Sequence, residues 1–330
     1  MKLFVVVLLI VCGVLASALQ DLPERARHGS AYKKFLSLSG TVKASEALIY
    51  NSKIDNFDVS SNATFPQRYF VDNQYWDGKG PVFYNICGEG TCSGPPSGYV
   101  ATLGQQYSAL LISLEHRFYG ESIPNGNALS ENYKHLTVEQ ALADLSNFTN
   151  FYKQQVPASA GVPWVVFGGS YPGALSSWYR STYPEQSVGS LSSSGVTNCI
   201  VDFYQFDMQV SAAAGNECGN NIKAVQAAFQ RTIGSPATEA GLQTALSKFY
   251  CDKDMAATDF YYMIADSWSM GIQYGGKTAQ CSALSAINAD STDEEIMDIF
   301  AAFSNDYWGK DFCAGGFCKL HWVFMFSTLQ

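Results

Sequence analysis

The stretch Trp164–Trp178, WVVFGGSYPGALSSW, holds the serine best placed to do chemistry. A buried, strand-like run ends in Gly168-Gly169-Ser170, and helix-forming residues start directly afterwards. A tight strand-to-helix turn lifts a serine hydroxyl above a sheet, the setting of an activated nucleophile. Glycines beside it let two backbones approach closely around a strained residue. Amides at the start of the next helix stabilise negative charge, so the Tyr171 N–H is the expected first oxyanion donor. The usual pentapeptide at such turns is G-x-S-x-G; here its last position is Pro172, with Gly173 one later. Proline is tolerated in a first helical turn because its missing N–H needs no partner there. A second oxyanion donor is expected from the loop after an earlier strand. Gly88-Glu89-Gly90 stands in that place, although a plain turn pinned by Cys87 and Cys92 accounts for the same residues.

A nucleophilic serine needs a base, and at this kind of turn the chain order is Ser, then Asp or Glu, then His. Of four histidines only His321 follows Ser170, inside the apolar run Leu320–Phe326. No acid after Ser170 has a signature that singles it out. His116 comes earlier, within Glu115-His116-Arg117, and reads as structural, supporting the floor of the site with Arg117. His28 and His135 have no supporting context. Ser192-Ser193-Ser194-Gly195 reads as a small-residue strand end.

The elements around Ser170 alternate. Strands are predicted at 67–76, 81–86, 109–114, 163–167 and 188–193, and helices from Thr137 and from Pro172 to about Tyr183. Gln140 is placed to complete a capping box with Thr137. Val138, Ala141, Leu142, Leu145, Phe148 and Tyr152 share one face of the first helix. Strands separated by helices imply a mainly parallel sheet covered on both faces. After Val196 the pattern turns helical, at about 220–232, 236–250, 258–270 and 292–303. Phe260, Tyr261, Tyr262 and Trp268 have the spacing of a helix core.

The 330 residues begin Met1-Lys2, followed by an apolar run from Leu3 to Leu15 and Ala16-Ser17-Ala18, the layout of a cleavable signal peptide over 1–18. That run falls short of a membrane span, and no later stretch is long and apolar enough either. Hydrophobic residues make up 47 % of the chain, which argues against disorder, and the net charge of −9 without a basic run argues against nucleic acid. Nine cysteines become eight without Cys12, an even number that favours disulfides in an oxidising compartment. The spacing of Cys87/Cys92 and Cys313/Cys318 also suits zinc, but no histidine stands beside them, so neither a metal nor a cofactor is expected. Asn62-Ala63-Thr64 and Asn147-Phe148-Thr149 are glycan acceptor sequons.

Three segments in order are Glu115-His116-Arg117-Phe118-Tyr119-Gly120-Glu121-Ser122, Leu136–Asp144 (LTVEQALAD) and Gly168-Gly169-Ser170-Tyr171-Pro172-Gly173. They resemble the prolyl-specific serine peptidase family that includes lysosomal Pro-X carboxypeptidase, dipeptidyl peptidase II and thymus-specific serine protease. The stretch from Phe65 to Gly90 is similar too, and the likeness runs from about residue 50 to 317. It implies an α/β class fold: an α/β-hydrolase core with an inserted helical cap, and cleavage of proline-containing peptides near one terminus. It also implies a triad Asp and His after the cap, where Cys318–Gln330 departs from the family pattern. The expected organisation is a signal peptide at 1–18, the first part of a core lacking its C-terminal strands at 19–196, a cap at 197–312 and a divergent tail at 313–330. A secreted, lysosomal or vacuolar exopeptidase is the reading that follows, with Ser170 as nucleophile and its Asp and His missing from this chain. An inactive relative of the same fold and an esterase or lipase are the alternatives. Carboxypeptidase or dipeptidyl-peptidase action, and monomer or homodimer, stay open.

Overall fold

The computed structural model describes residues 46–126, 130–200 and 203–314. The expected signal peptide, His28, Cys318, His321 and the rest of the tail beyond 314 lie outside these residues. The chain forms two compact units, with the change at Cys199/Ile200.

The first unit is built on six strands: β1 (Leu48–Lys53), β2 (Thr64–Asp72), β3 (Val82–Ile86), β4 (Leu110–Leu114), β5 (Trp164–Gly169) and β6 (Gly189–Ser193). Their order in the sheet is β1-β2-β4-β3-β5-β6. Strands β3 to β6 run parallel, as expected, whereas β1 and β2 enter antiparallel. Every residue of β4 is buried, the mark of a strand covered on both faces. Helix α1 (Gly98–Gln106) brings Val100 against Phe83, Leu111 and Phe167 on one face. Helices α2 (Val138–Gln155) and α3 (Tyr171–Thr182) cover the other, where Phe148, Leu175 and Tyr179 pack on Tyr84, Ile112 and Val166.

The predicted apolar stripe of α2 is buried from Ala141 to Tyr152, with Val138 half-buried at its start. Thr137 caps the helix by accepting the Gln140 N–H. The Gln140 side chain does not complete the expected box; its Nε2 donates to Asp55 Oδ1 at 2.6 Å, and its Oε1 accepts from Asn56. Two polar residues of the loop after β1 outcompete the helix's own first turn.

The second unit is helical throughout its described residues: α4 (Tyr204–Ala214), α5 (Asn216–Ile233), α6 (Glu239–Lys248), α7 (Ala257–Gln273), α8 (Lys277–Leu284), α9 (Asp293–Tyr307) and α10 (Asp311–Ala314). Phe229, Phe249, Phe260 and Phe300 meet at its centre, with ring centroids 5.6–6.4 Å apart, and Trp268 packs on Phe300. The aromatic run of α7 is therefore core, apart from exposed Tyr262. Thr292 and Glu295 form a complete capping box on α9. Disulfides Cys218–Cys281 and Cys251–Cys313 lie within this unit, so Cys313 is joined to a distant cysteine and not to Cys318.

Candidate active site

Ser170 sits between β5 and α3 at φ 59° and ψ −127°, a backbone conformation that L residues adopt only when their surroundings impose it. Two bonds hold it there. Its N–H donates to Ser193 O on β6 at 2.9 Å, and its own carbonyl accepts the Ala174 N–H at 3.1 Å. The neighbouring glycines are steric necessities. A Cβ on Gly168 would lie 2.0 Å from Pro172 O, and one on Gly173 would lie 2.9 Å from Ser193 O. Gly173 thus does close-approach work one position past the end of the usual pentapeptide. Ser192 and Ser176 both donate their hydroxyls to Gly173 O, at 2.7 and 2.8 Å. The Ser192–Ser194 strand end, unremarkable in the sequence, braces the turn.

Tyr171 opens α3, so its N–H lies in the first turn, where the helix offers no acceptor. Its side chain is anchored. The hydroxyl meets His116 Nε2 at 2.9 Å, and His116 Nδ1 meets Arg117 O at 2.7 Å. Burial lowers the His116 pKa from 6.5 to about 4, so the ring is neutral at pH 7. A carbonyl can only accept, so Nδ1 carries the proton and Nε2 accepts from the Tyr171 hydroxyl.

Arg117 is fully buried and donates twice to Asp144 of α2. It also donates to the carbonyls of Lys53, Ile54 and His135. Ser52 and Asn56 add donors to Asp144 Oδ1, at 3.0 and 2.8 Å. One cation and one anion thereby tie the end of β1 and the start of α2 beneath the site.

Glu115 is a residue whose role the sequence does not disclose. Its buried carboxylate accepts from Arg68 Nε and Nη2, Ser122 Oγ, and the N–H groups of Cys92 and Glu121. Gly120 lies so close that a Cβ there would be 2.1 Å from Glu115 Oε1. The Cys92 bond fixes one end of the loop that bears the expected second oxyanion donors. The Cys87–Cys92 disulfide closes that loop, so this pair is not a zinc site. Because β3 and β5 are parallel neighbours, with Asn85 opposite Phe167, the loop leaves the sheet beside the Ser170 turn. Gly88 is buried, and Glu89 and Gly90 are half-buried. Glu89 Oε2 is shielded without a hydrogen-bond partner, and burial pushes its carboxyl pKa up.

Neither described histidine is hydrogen-bonded to Ser170. Both ring nitrogens of His116 are engaged elsewhere, and His135 Nδ1 faces Asp55 Oδ2 at 3.9 Å.

The two sequons differ. Asn62 is exposed in the loop before β2. Asn147 on α2 is half-buried, and its Nδ2 donates to Asn56 Oδ1 at 2.9 Å. Thr149 is fully buried and bonds Leu145 O. Among the described residues, no helix is long and apolar enough to cross a membrane, and no group of His, Cys, Asp or Glu is placed to hold a metal ion.

Known proteins resemble this chain in sequence. Probable serine protease EDA2 of Arabidopsis thaliana is 31 % identical over 86 % of this chain and 59 % of its own length. Human thymus-specific serine protease is 37 % identical over 59 % of this chain and 40 % of its own. Human lysosomal Pro-X carboxypeptidase is 32 % identical over 59 % and 38 %. The chain thus spans about half the length of the curated relatives it matches. A solved structure of a probable hydrolytic enzyme from Pseudomonas aeruginosa overlaps 82 % of this chain and 69 % of its own, at 12 % identity and a TM-score of 0.33, too low to carry structural inference. The profile of the family described as Serine carboxypeptidase S28 matches residues 52–302, well over half of the sequence and the whole neighbourhood of Ser170, and the chain belongs to that family.

Proposed function

We propose that Ser170 is the nucleophile of a serine exopeptidase that cleaves peptides beside proline. The observation that carries this reading is the Ser170 backbone at φ 59° and ψ −127° between a parallel strand and a helix, a costly conformation retained where a hydroxyl must stand clear of the sheet. Tyr171 N–H and one amide of Gly88-Glu89-Gly90 are the oxyanion donors in this proposal. The preference for proline rests on likeness to lysosomal Pro-X carboxypeptidase. Residues 197–312 are the inserted helical cap in this proposal. Three disulfides among the described residues support a secretory or lysosomal setting.

In a second reading no imidazole serves Ser170, as neither His116 nor His135 does; the hydroxyl then keeps an alcohol's reactivity, without general-base assistance of about 10²–10⁴-fold. In that reading the chain binds peptides without turning them over.

A fluorophosphonate probe separates the two. The peptidase reading expects labelling of the full chain that Ser170→Ala abolishes, together with hydrolysis of proline-containing peptides in preference to simple esters. Loss of labelling on His321→Ala identifies the base as His321; unchanged labelling places it elsewhere. A full chain that binds proline peptides but neither labels nor turns them over favours the second reading.

A further inference from the structure

His116 has a place in the site that packing alone does not explain. The ring is buried, 5 % exposed, yet both its nitrogens are hydrogen-bonded, one to a backbone carbonyl and one to the side chain that follows Ser170. Its contacts are rigid. Tyr119 lies edge-on at 5.3 Å, Tyr171 at 5.5 Å, and the adjoining Arg117 is locked to Asp144. A buried imidazole gives up hydration, and it does so here while carrying no charge and touching no described acid.

The peptide group between Ser170 and Tyr171 explains what such an anchor does. The Ser170 N–H, in the preceding peptide, is clamped to Ser193 O, and the Ser170 carbonyl, in the same peptide as the Tyr171 N–H, accepts the Ala174 N–H at 3.1 Å. The Tyr171 N–H itself lies in a first helical turn, without an intrahelical acceptor of its own. That N–H must aim at an oxygen that carries charge only as the reaction proceeds, and a donor preset in direction stabilises such charge far better than one that must reorient. Besides the bond from Ala174 N–H to the Ser170 carbonyl, the Tyr171 side chain is a second handle on this peptide plane, and His116 holds it.

We propose that His116 is a positioning residue for the oxyanion hole: by accepting the Tyr171 hydroxyl it fixes the Tyr171 backbone, and with it the N–H beside the Ser170 oxygen. This rests on Ser170 being the nucleophile. His116 itself takes no proton from the serine and touches no substrate. Arg117 O selects the tautomer that lets Nε2 accept, and Asp144 holds Arg117 still.

The test uses the full chain with a fluorophosphonate probe, each variant assayed well below its unfolding midpoint. His116→Phe keeps a ring and loses the acceptor; Tyr171→Phe keeps the ring and loses the donor. Each is expected to slow labelling of Ser170 by about 10- to 100-fold, the range for a small misplacement of a reacting group. The double variant is expected to be no slower than the slower single, because one hydrogen bond is lost in every case. His116→Gln, which keeps an acceptor, is expected to restore part of the rate. In ¹⁵N–¹H spectra the Tyr171 amide resonance is expected to move in His116→Phe. An unchanged labelling rate in His116→Phe, multiplying effects in the double variant, or a stationary Tyr171 amide would each overturn the proposal. A wild-type chain that never labels removes the nucleophile reading alone, and the Tyr171 amide then decides whether His116 sets the backbone.

Discussion

Arg117 and Asp144 meet through two hydrogen bonds, Nε to Oδ2 at 2.7 Å and Nη2 to Oδ1 at 2.6 Å, with both side chains shut off from water. Removing one partner of such a pair strands the other as an uncompensated buried charge. Arg117→Ala is therefore expected to lower unfolding free energy by about 3–5 kcal/mol. Arg117→Lys is expected to recover little, because an ammonium cannot serve Asp144 and three carbonyls in one plane. Urea unfolding followed by tryptophan fluorescence measures both; a loss below about 1 kcal/mol for Arg117→Ala would show the pair to be replaceable.

Glycine adopts the Ser170 conformation without steric penalty, so Ser170→Gly relieves strain of about 1–3 kcal/mol, less glycine's extra chain entropy. A rise in midpoint temperature is expected for Ser170→Gly and not for Ser170→Ala, while both abolish probe labelling. Equal midpoints for the two variants would remove strain as the reason for the unusual backbone.

Acid is expected to destabilise the first unit through His116. Its pKa is about 4 when folded, against about 6.5 in an unfolded chain. The unfolded state therefore binds the extra proton between those values. The contribution is complete above pH 6.5 and falls away as the pH drops to 4, about 3 kcal/mol in all. Glu89 acts in the opposite sense. Its raised pKa makes the ionised form unfavourable at neutral pH, and that cost disappears on acidification. Thermal melts from pH 7 to 4 should thus fall less steeply for His116→Gln than for the parent, whereas Glu89→Gln should gain stability at pH 7 and little at pH 4. Parallel melting curves for all three proteins would contradict both assignments.

One sequon is expected to be used. Asn62 is open to an oligosaccharide, whereas a glycan on Asn147 would break the bond to Asn56 Oδ1 in a polar cluster that also holds Gln140 and Asp144. Peptide mapping of protein from a secretory host should find the glycan at Asn62 and unmodified Asn147. A glycan at Asn147 on correctly folded material would show that the cluster yields.

The parts of the fold legible in the sequence are those whose cause is local. The β5–α3 junction combines an apolar run with glycines, and α2 repeats its apolar residues every third or fourth position. Strand β1 gave no such signal, since half of LIYNSK is exposed and the strand owes its form to pairing with β2. Helix α1 has two buried residues, Val100 and Gly104, too few to show a stripe. Helix α8 is half polar and is tied down by Cys281, whose partner is distant in sequence. The site divides the same way. Ser170 and Tyr171 follow from their turn, but the partners of Glu115 come from Arg68, Cys92 and Ser122, and only folding brings them together. The bond from His116 to Tyr171 likewise joins two motifs that the chain keeps apart.

The bond from Ser170 N–H to Ser193 O also bears on the order of synthesis. A ribosome releases Ser170 before it has made β6, so the emerging chain holds Gly168-Gly169-Ser170 for a time without the strand that restrains the turn. During that interval Ser170 is free to relax into ordinary backbone geometry. The turn's final shape is set only when Gly189–Ser193 docks alongside β5, so interrupting the chain between α3 and β6 would yield a nascent protein with its serine present and its turn uncocked.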